Sequence, residues 1–320
     1  MSGVAIVTAG AGAPVHETGP MHPERSERVA RILARLEADG VLPRLTPITA
    51  APADRASIEA VHHPAYIARV EDAVASGELM LDSMDTGIGP GSFGAALEAA
   101  GAALQLCDAA VAGTIDSGFA AMRPPGHHAE FDEAMGFCLF NNIAIAARHL
   151  QRRRGLGKVL IVDWDLHHGN GTQHAFFADP SVFYTSLHQY PWYPGTGAAG
   201  ETGTGAGLGT TLNFPMRAGA GDAEYLRAFT DRLLPAAAAF RPEAILVSAG
   251  FDAHRDDPLG AIALTDGMYT TMTRLLLELK TATGALGPIS LLEGGYHMEA
   301  MPRSASAHLA ALLEGQGKAA

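Results

Sequence analysis

Short runs rich in β-branched residues alternate along this chain with longer alanine- and leucine-rich stretches, and that alternation admits few folds. Strands are predicted at 4–8, 118–122, 158–163, 182–187, 244–249 and 288–292. Helical spacing of apolar residues predicts helices over 26–38, 54–75, 92–112, 138–154, 222–239, 265–283 and 299–313. The architecture expected is α/β: a single domain over 1–320, with a mostly parallel central sheet and helices on both faces. No repeat or linker interrupts it. The Gly/Thr-rich segment 195–211 has the composition of a linker but lies between strands, so it reads as a folded surface loop.

Composition narrows the class further. With 48% hydrophobic and 18% charged residues among 320, the chain is no disordered polymer. A net charge of -12 disfavours direct nucleic-acid binding and suits cationic partners such as lysine-rich tails or polyamines. Two cysteines, Cys107 and Cys138, cannot build a disulfide framework. Both fall in apolar stretches read as helical, where a free thiol packs as a small hydrophobe, and a reducing compartment fits. The N-terminal residues carry no basic flank, and no apolar run approaches the ~18 residues of a membrane span. Neither export nor membrane insertion is expected, and the cytoplasm is the expected location. Oligomeric state stays open, homodimer and homotetramer included.

Polar residues concentrate where strands end. After 118–122 comes Arg123-Pro124-Pro125-Gly126-His127-His128, and after 158–163 comes Trp164-Asp165-Leu166-His167-His168-Gly169-Asn170. The strand at 182–187 runs into His188, that at 244–249 into Gly250-Phe251-Asp252, and that at 288–292 into Glu293-Gly294-Gly295-Tyr296. In an open α/β sheet the ligand crevice lies outside the carboxyl ends of the strands, so these loops should converge.

Asp165 and His167, one residue apart, point the same way from an extended segment and can grip one ion, with Asp252 as a third ligand. Three ligands leave a coordination position for water, which a zinc-like ion acidifies towards ~7 while polarising a carbonyl, as amide hydrolysis requires. Asp163 and Asp165 taken alone also suit a helix cap or a turn. Adjacent His127 and His128 are costly to bury unless Asp163 or Asn170 orients each ring, which would set two basicities in one site. Taken alone, a histidine pair also suits the surface. Tyr296, after two glycines, can aim a phenol at a developing oxyanion or serve a structural purpose.

Together these residues resemble the histone deacetylase superfamily, in particular its class II branch, with the class IIb members and their bacterial relatives. The resemblance rests on Arg123-Pro124-Pro125-Gly126-His127-His128-Ala129-Glu130, Gly136-Phe137-Cys138, 162–173, 248–252 and Glu293-Gly294-Gly295-Tyr296, in that order across most of the chain. It implies the arginase/deacetylase-type fold, one Zn²⁺ per chain on Asp165, His167 and Asp252, and His127 and His128 as the tandem catalytic histidines. It implies Tyr296 as the phenol that polarises the acetyl carbonyl, Asp163 as the partner of His127, and Asn170 where class I members carry aspartate. In the family, a metal-activated water deprotonated by the second histidine attacks the acetyl carbonyl, giving acetate and a free amine. A structural K⁺ ion is implied too, held by Asp163 and by oxygens at Asp165, His167, Ser186 and Leu187. Gly136, Phe137, Tyr193, Leu259 and Asp85 correspond to substrate-contacting positions, Phe137 and Tyr193 as the aromatic pair around an acyl-lysine stem.

The resemblance also bears on substrate. Polyamine specificity in the class IIb branch involves a glutamate at the position of Leu259 in this chain. An apolar residue there cannot neutralise a second ammonium, so an acetylated lysine of a protein or peptide is favoured over an acetylpolyamine, unless Glu17 or Asp85 supplies the charge. Arginase-like ureohydrolases would need more bridging carboxylates than the chain offers. A non-catalytic acyl-lysine binder would not need the complete ligand, histidine and tyrosine set.

Overall fold

A computed structural model describes residues 3–315. Eight strands, β1 (Gly3–Thr8), β2 (Thr46–Thr49), β3 (Ile115–Ala120), β4 (Val159–Asp163), β5 (Val182–Gln189), β6 (Thr211–Met216), β7 (Ala244–Ala249) and β8 (Leu286–Leu292), form one sheet. Its order is β2-β1-β3-β8-β7-β4-β5-β6, and every pairing is parallel. The helices are α1 (Glu27–Ala38), α2 (Arg55–Ile58), α3 (Pro64–Ser76), α4 (Ser92–Val111), α5 (Asn142–Arg154), α6 (Asn170–Phe176), α7 (Asp222–Ala228), α8 (Leu234–Phe240), α9 (Asp266–Thr283) and α10 (Ala300–Glu314). No helix among the described residues is long and apolar enough to cross a membrane.

Both faces of the sheet are covered because the strands are apolar on both. Leu160 and Val162 of β4 join Val4, Ile6, Ile245 and Val247 against α1, α9 and α10, while Val159 and Ile161 join Ala5, Val7 and Leu246 against α4 and α5. Each buried Val, Ile or Leu side chain among them contributes roughly 1.5–3 kcal/mol relative to exposure. Period-two alternation thus splits one strand between two cores.

The α/β expectation holds, with corrections at the edges. β2 and β6 are absent from the sequence prediction; both are outermost strands, and Pro47 and Pro215 argue locally against a strand while being tolerated at a sheet edge. The helix expected over 54–75 is broken. Asp54 caps α2 by accepting from Ser57 N, and Pro64 opens α3 after an extended His63 whose ring accepts from Ala65 N. The helix expected from 138 starts at Asn142, because Asn141 Oδ1 accepts from Ala144 N at 3.0 Å. Cys138 is therefore a buried loop residue, not a helical one, whereas Cys107 lies within α4. The segment 195–211 folds as a loop cinched by the Glu201 carboxylate, which accepts from Gly197 N, Ala198 N and Gln173 Nε2.

Candidate active site

Five adjacent strands, β3, β8, β7, β4 and β5, end at one edge of the sheet and deliver the polar loops there. Asp165 and His167 leave β4, and Asp252 leaves the neighbouring β7. His167 Nδ1 lies 3.2 Å from Asp165 Oδ1 and 3.1 Å from Asp252 Oδ2. Among the described residues, this is the histidine and carboxylate group whose ligand atoms can meet on one ion. Donors about 2.0–2.2 Å from a tetrahedral zinc stand roughly 3.3–3.6 Å apart, close to this spacing. The other oxygens are already committed: Asp165 Oδ2 accepts from Gly294 N at 2.7 Å and Asp252 Oδ1 from Leu166 N at 2.8 Å. Position 294 must be glycine, since a Cβ would strike both carboxylates.

Charge makes the same point. Burial and the neighbouring Asp165 push the Asp252 carboxyl up to about 7, while burial of Asp165 is overcome by His127 and His167, which hold it low. Burial disfavours charge on His167, yet hydrogen bonds and attraction from Asp165 and Asp252 raise it to about 9. Two buried carboxylates thus compete for one imidazolium proton, and a divalent cation is the species this donor set fits.

His127 and His128 lie side by side with ring centres 4.0 Å apart and are pulled in opposite directions. His127 Nδ1 meets Asp163 Oδ2 at 3.0 Å; burial opposes its charge, but Asp163, Asp165 and Glu293 raise it to about 10. His128 is driven well below the ordinary histidine value by burial, then by His127 and His167, against its hydrogen bond to Asn170. His128 Nδ1 donates to Asn170 Oδ1 at 2.7 Å, which leaves Nε2 with a lone pair.

A cavity of about 120 Å³ opens beside these groups. His128, His167 and Tyr296 line it, and so do Gly136, Phe137, Tyr193, Leu259 and Asp85. Tyr193 stands edge-on to the rings of His128 and His167, and the Phe137 ring edge-on to Tyr296 at 5.8 Å. Glu17 is exposed and does not line the cavity. Ser186 is the register partner of Asp163 across β4 and β5, and its hydroxyl pairs with His188 Nδ1. The carbonyl of Leu187 accepts from Tyr225 Oη at 3.3 Å.

Sequence reasoning missed the groups that hold the loops in place. The buried Glu293 carboxylate accepts from the backbone N–H of Gly126 and His127 and from Ser248 Oγ, tying the histidine loop to β8. Asp257 accepts from Tyr296 N at 2.7 Å and His297 N at 3.2 Å, fixing the tyrosine loop. Glu24 pairs with Arg28 and Arg123, all three buried, and Arg28 Nε donates to Gly295 O at 2.8 Å with its guanidinium 5.0 Å from the Tyr296 ring centre. A local signal existed for Arg28, which shares the buried stripe of α1 with Ile32 and Leu36.

Comparisons with known proteins converge. Residues 22–312 match the family described as histone deacetylase domain. The chain is 43% identical to Histone deacetylase 15 of Arabidopsis thaliana over 91% of its own length and 53% of the relative's. It is 40% identical to Polyamine deacetylase HDAC10 of Homo sapiens, covering 91% of this chain and 44% of that one. Against Histone deacetylase 14, chloroplastic, of Arabidopsis thaliana, identity is 40% over 91% of this chain and 73% of the relative. The chain thus spans about half the length of the first two relatives. A solved structure described as the HDA15 HD domain superposes with a TM-score of 0.92 at 40% identity, covering 98% of this chain and 88% of that one.

Proposed function

The chain belongs to the histone deacetylase family, and on that footing we propose that it is a zinc-dependent amidohydrolase that removes acetyl groups from acetylated lysine side chains of proteins or peptides, releasing acetate. One observation carries this: a lone-pair histidine, a phenol and a buried carboxylate–imidazole–carboxylate cluster all border one narrow cavity. Asp165, His167 and Asp252 would hold the zinc, which when bound supplies Lewis acidity, acidifying water towards ~7 and polarising a carbonyl.

The protein's own groups do the rest. His128, neutral and lining the cavity, takes the proton of the attacking water on Nε2 and returns it to the amine nitrogen as the C–N bond breaks and acetate forms. Tyr296 donates its phenolic hydrogen to the oxyanion as the carbonyl becomes tetrahedral. His127, paired with Asp163, stays protonated and balances the negative charge that accumulates. Phe137 and Tyr193 clasp the aliphatic stem of the acylated side chain, and Asp85 at the cavity accepts from main-chain N–H groups of the bound peptide. A K⁺ ion at Asp163, with oxygens of Asp165, His167, Ser186 and Leu187, would steady the β4 and β5 ends. The two unpaired buried cysteines support a cytoplasmic setting.

Acetylpolyamines are the second reading, favoured by the likeness to a relative named as a polyamine deacetylase and by Asp85 at the cavity. Leu259 favours lysine, because it brings no carboxylate to the cavity for a second ammonium. Acetate release from an acetyl-lysine peptide, acetylputrescine and acetylspermidine, measured side by side with a chelator control, tests both. Chelator-sensitive turnover of the peptide is expected; preference for the polyamines would overturn the lysine reading, and no turnover of any would overturn the deacetylase reading.

A further inference from the structure

Asn170 is the member of the site whose side chain has two chemically different ends. For His128 Nδ1 to donate, Asn170 must present Oδ1 to it, as it does at 2.7 Å. A half-turn of the amide would present an N–H instead, drive the imidazole proton to Nε2 and abolish the base. Nothing within Asn170 selects between the two orientations; its surroundings must.

They do so with acceptors. Asn170 Nδ2 donates to Glu130 Oε1 and sits 3.2 Å from His128 O and 3.3 Å from Met135 Sδ. A flipped amide would set its oxygen against all three. Glu130 is the charged member and its bond the strongest of the set. Its carboxylate is in turn met by His174 Nδ1 at 2.9 and 3.0 Å, and the Glu130 side chain is 19% exposed. The Glu130 backbone has separate work: its N donates to Glu133 O and its carbonyl accepts from His62 Nδ1. Those bonds survive any change of side chain.

We infer that Glu130 is a positioning residue for the proposed reaction: by accepting from Asn170 Nδ2 it locks the amide so that His128 carries its proton on Nδ1 and keeps Nε2 free as the base. This rests on the deacetylase reading above. The chain thereby places a carboxylate one residue further from His128 than a direct aspartate partner would.

The test is a mutant cycle on the zinc-loaded full chain. Glu130→Ala and the space-filling Glu130→Met should lower kcat roughly 10-fold or more, the scale of losing a partner that orients a reacting group, with KM and metal content unchanged. Glu130→Gln should recover most of kcat, because its amide oxygen still accepts from Asn170. In an Asn170→Asp background, Glu130→Ala should cost nothing further, since a carboxylate has no wrong way round. Wild-type kcat in both Glu130→Ala and Glu130→Met, or an equal loss in the Asn170→Asp background, would overturn the inference. ¹⁵N spectra of histidine-labelled protein, with the His128 signal assigned from His128→Gln, read the same point without turnover. The ring proton should sit on Nδ1 in the wild type and be shared with Nε2 in Glu130→Ala; identical spectra would overturn the inference even if the wild type proved inactive on every amide offered.

Discussion

Two clusters of buried charge lie at the same edge of the sheet, and they are built on opposite plans. Glu24 faces two guanidinium groups, Arg28 and Arg123, and although burial resists its charge those partners hold its carboxyl down at about 2. Other guanidinium hydrogens go to the carbonyls of Gly295, Glu293, His16 and Glu24. That cluster is complete within the chain. Asp165 and Asp252 have one imidazole between them, and Asp252 rises to about 7 through burial and repulsion. A cluster with positive charge to spare, spread over backbone carbonyls, is scaffold; one left short of positive charge is a socket for a cation.

That contrast can be broken experimentally. Asp252→Asn should abolish turnover on the order of 10⁴-fold, the scale of losing a member of a catalytic unit, yet leave the metal-free fold at least as stable, since it removes a repulsion. Lower stability of the metal-free variant in urea titrations would contradict the contrast. Glu24→Ala should do the reverse on stability, costing about 3–5 kcal/mol because two buried guanidinium groups lose their counter-charge. Urea titration reads this directly, and an unchanged midpoint would deny the cluster its scaffold role. Tyr296→Phe sits between the two, since Tyr296 has its ring on Arg28 and lines the cavity: turnover should fall roughly 10²-fold or more with melting temperature and metal content intact.

The smallest effect is one of pH. The Asp252 carboxyl is raised from 3.8 to about 7, so in the metal-free fold it binds a proton that the unfolded chain releases near 4. The stability supplied by that proton is present at low pH and lost as pH rises through about 7. A bound cation replaces it. The gain in melting temperature on zinc loading should therefore grow between pH 4 and pH 7; a gain independent of pH would remove Asp252 from the metal site. Histidines distant from the site titrate equally with and without metal and cancel in the difference.

How much of this was legible in the sequence depended on whether the signal was local. The central strands β4 and β7 announce themselves as apolar runs because both faces are buried, whereas β2 and β6 are edge strands whose prolines argue locally against a strand. The residues at the cavity were legible because each follows a strand end in a recognisable motif, so one geometric rule brought His128, His167, Asp252 and Tyr296 together. Although Glu24 and Arg28 are only four residues apart, the bonds that tie Glu293, Asp257 and the Glu24 cluster to the site loops span 39 to 267 positions, as from Tyr296 N to Asp257 and from Arg28 to Gly295. No periodicity encodes such pairs. Asn141 and Pro64, by contrast, were short-range signals within a longer helical pattern, and the cap and the imino ring overruled it.

The strand order also sets a timetable. β7 and β8 are the last strands along the chain, yet they lie in the middle of the sheet, wedged between β3 and β4. A ribosome would thus release both flanks, with His128 and Asp165 already made, before the wedge that carries Asp252 and Tyr296 exists. The full set of site residues exists only once the last two strands of the described sheet have been made, because Asp252 follows β7 and Tyr296 follows β8.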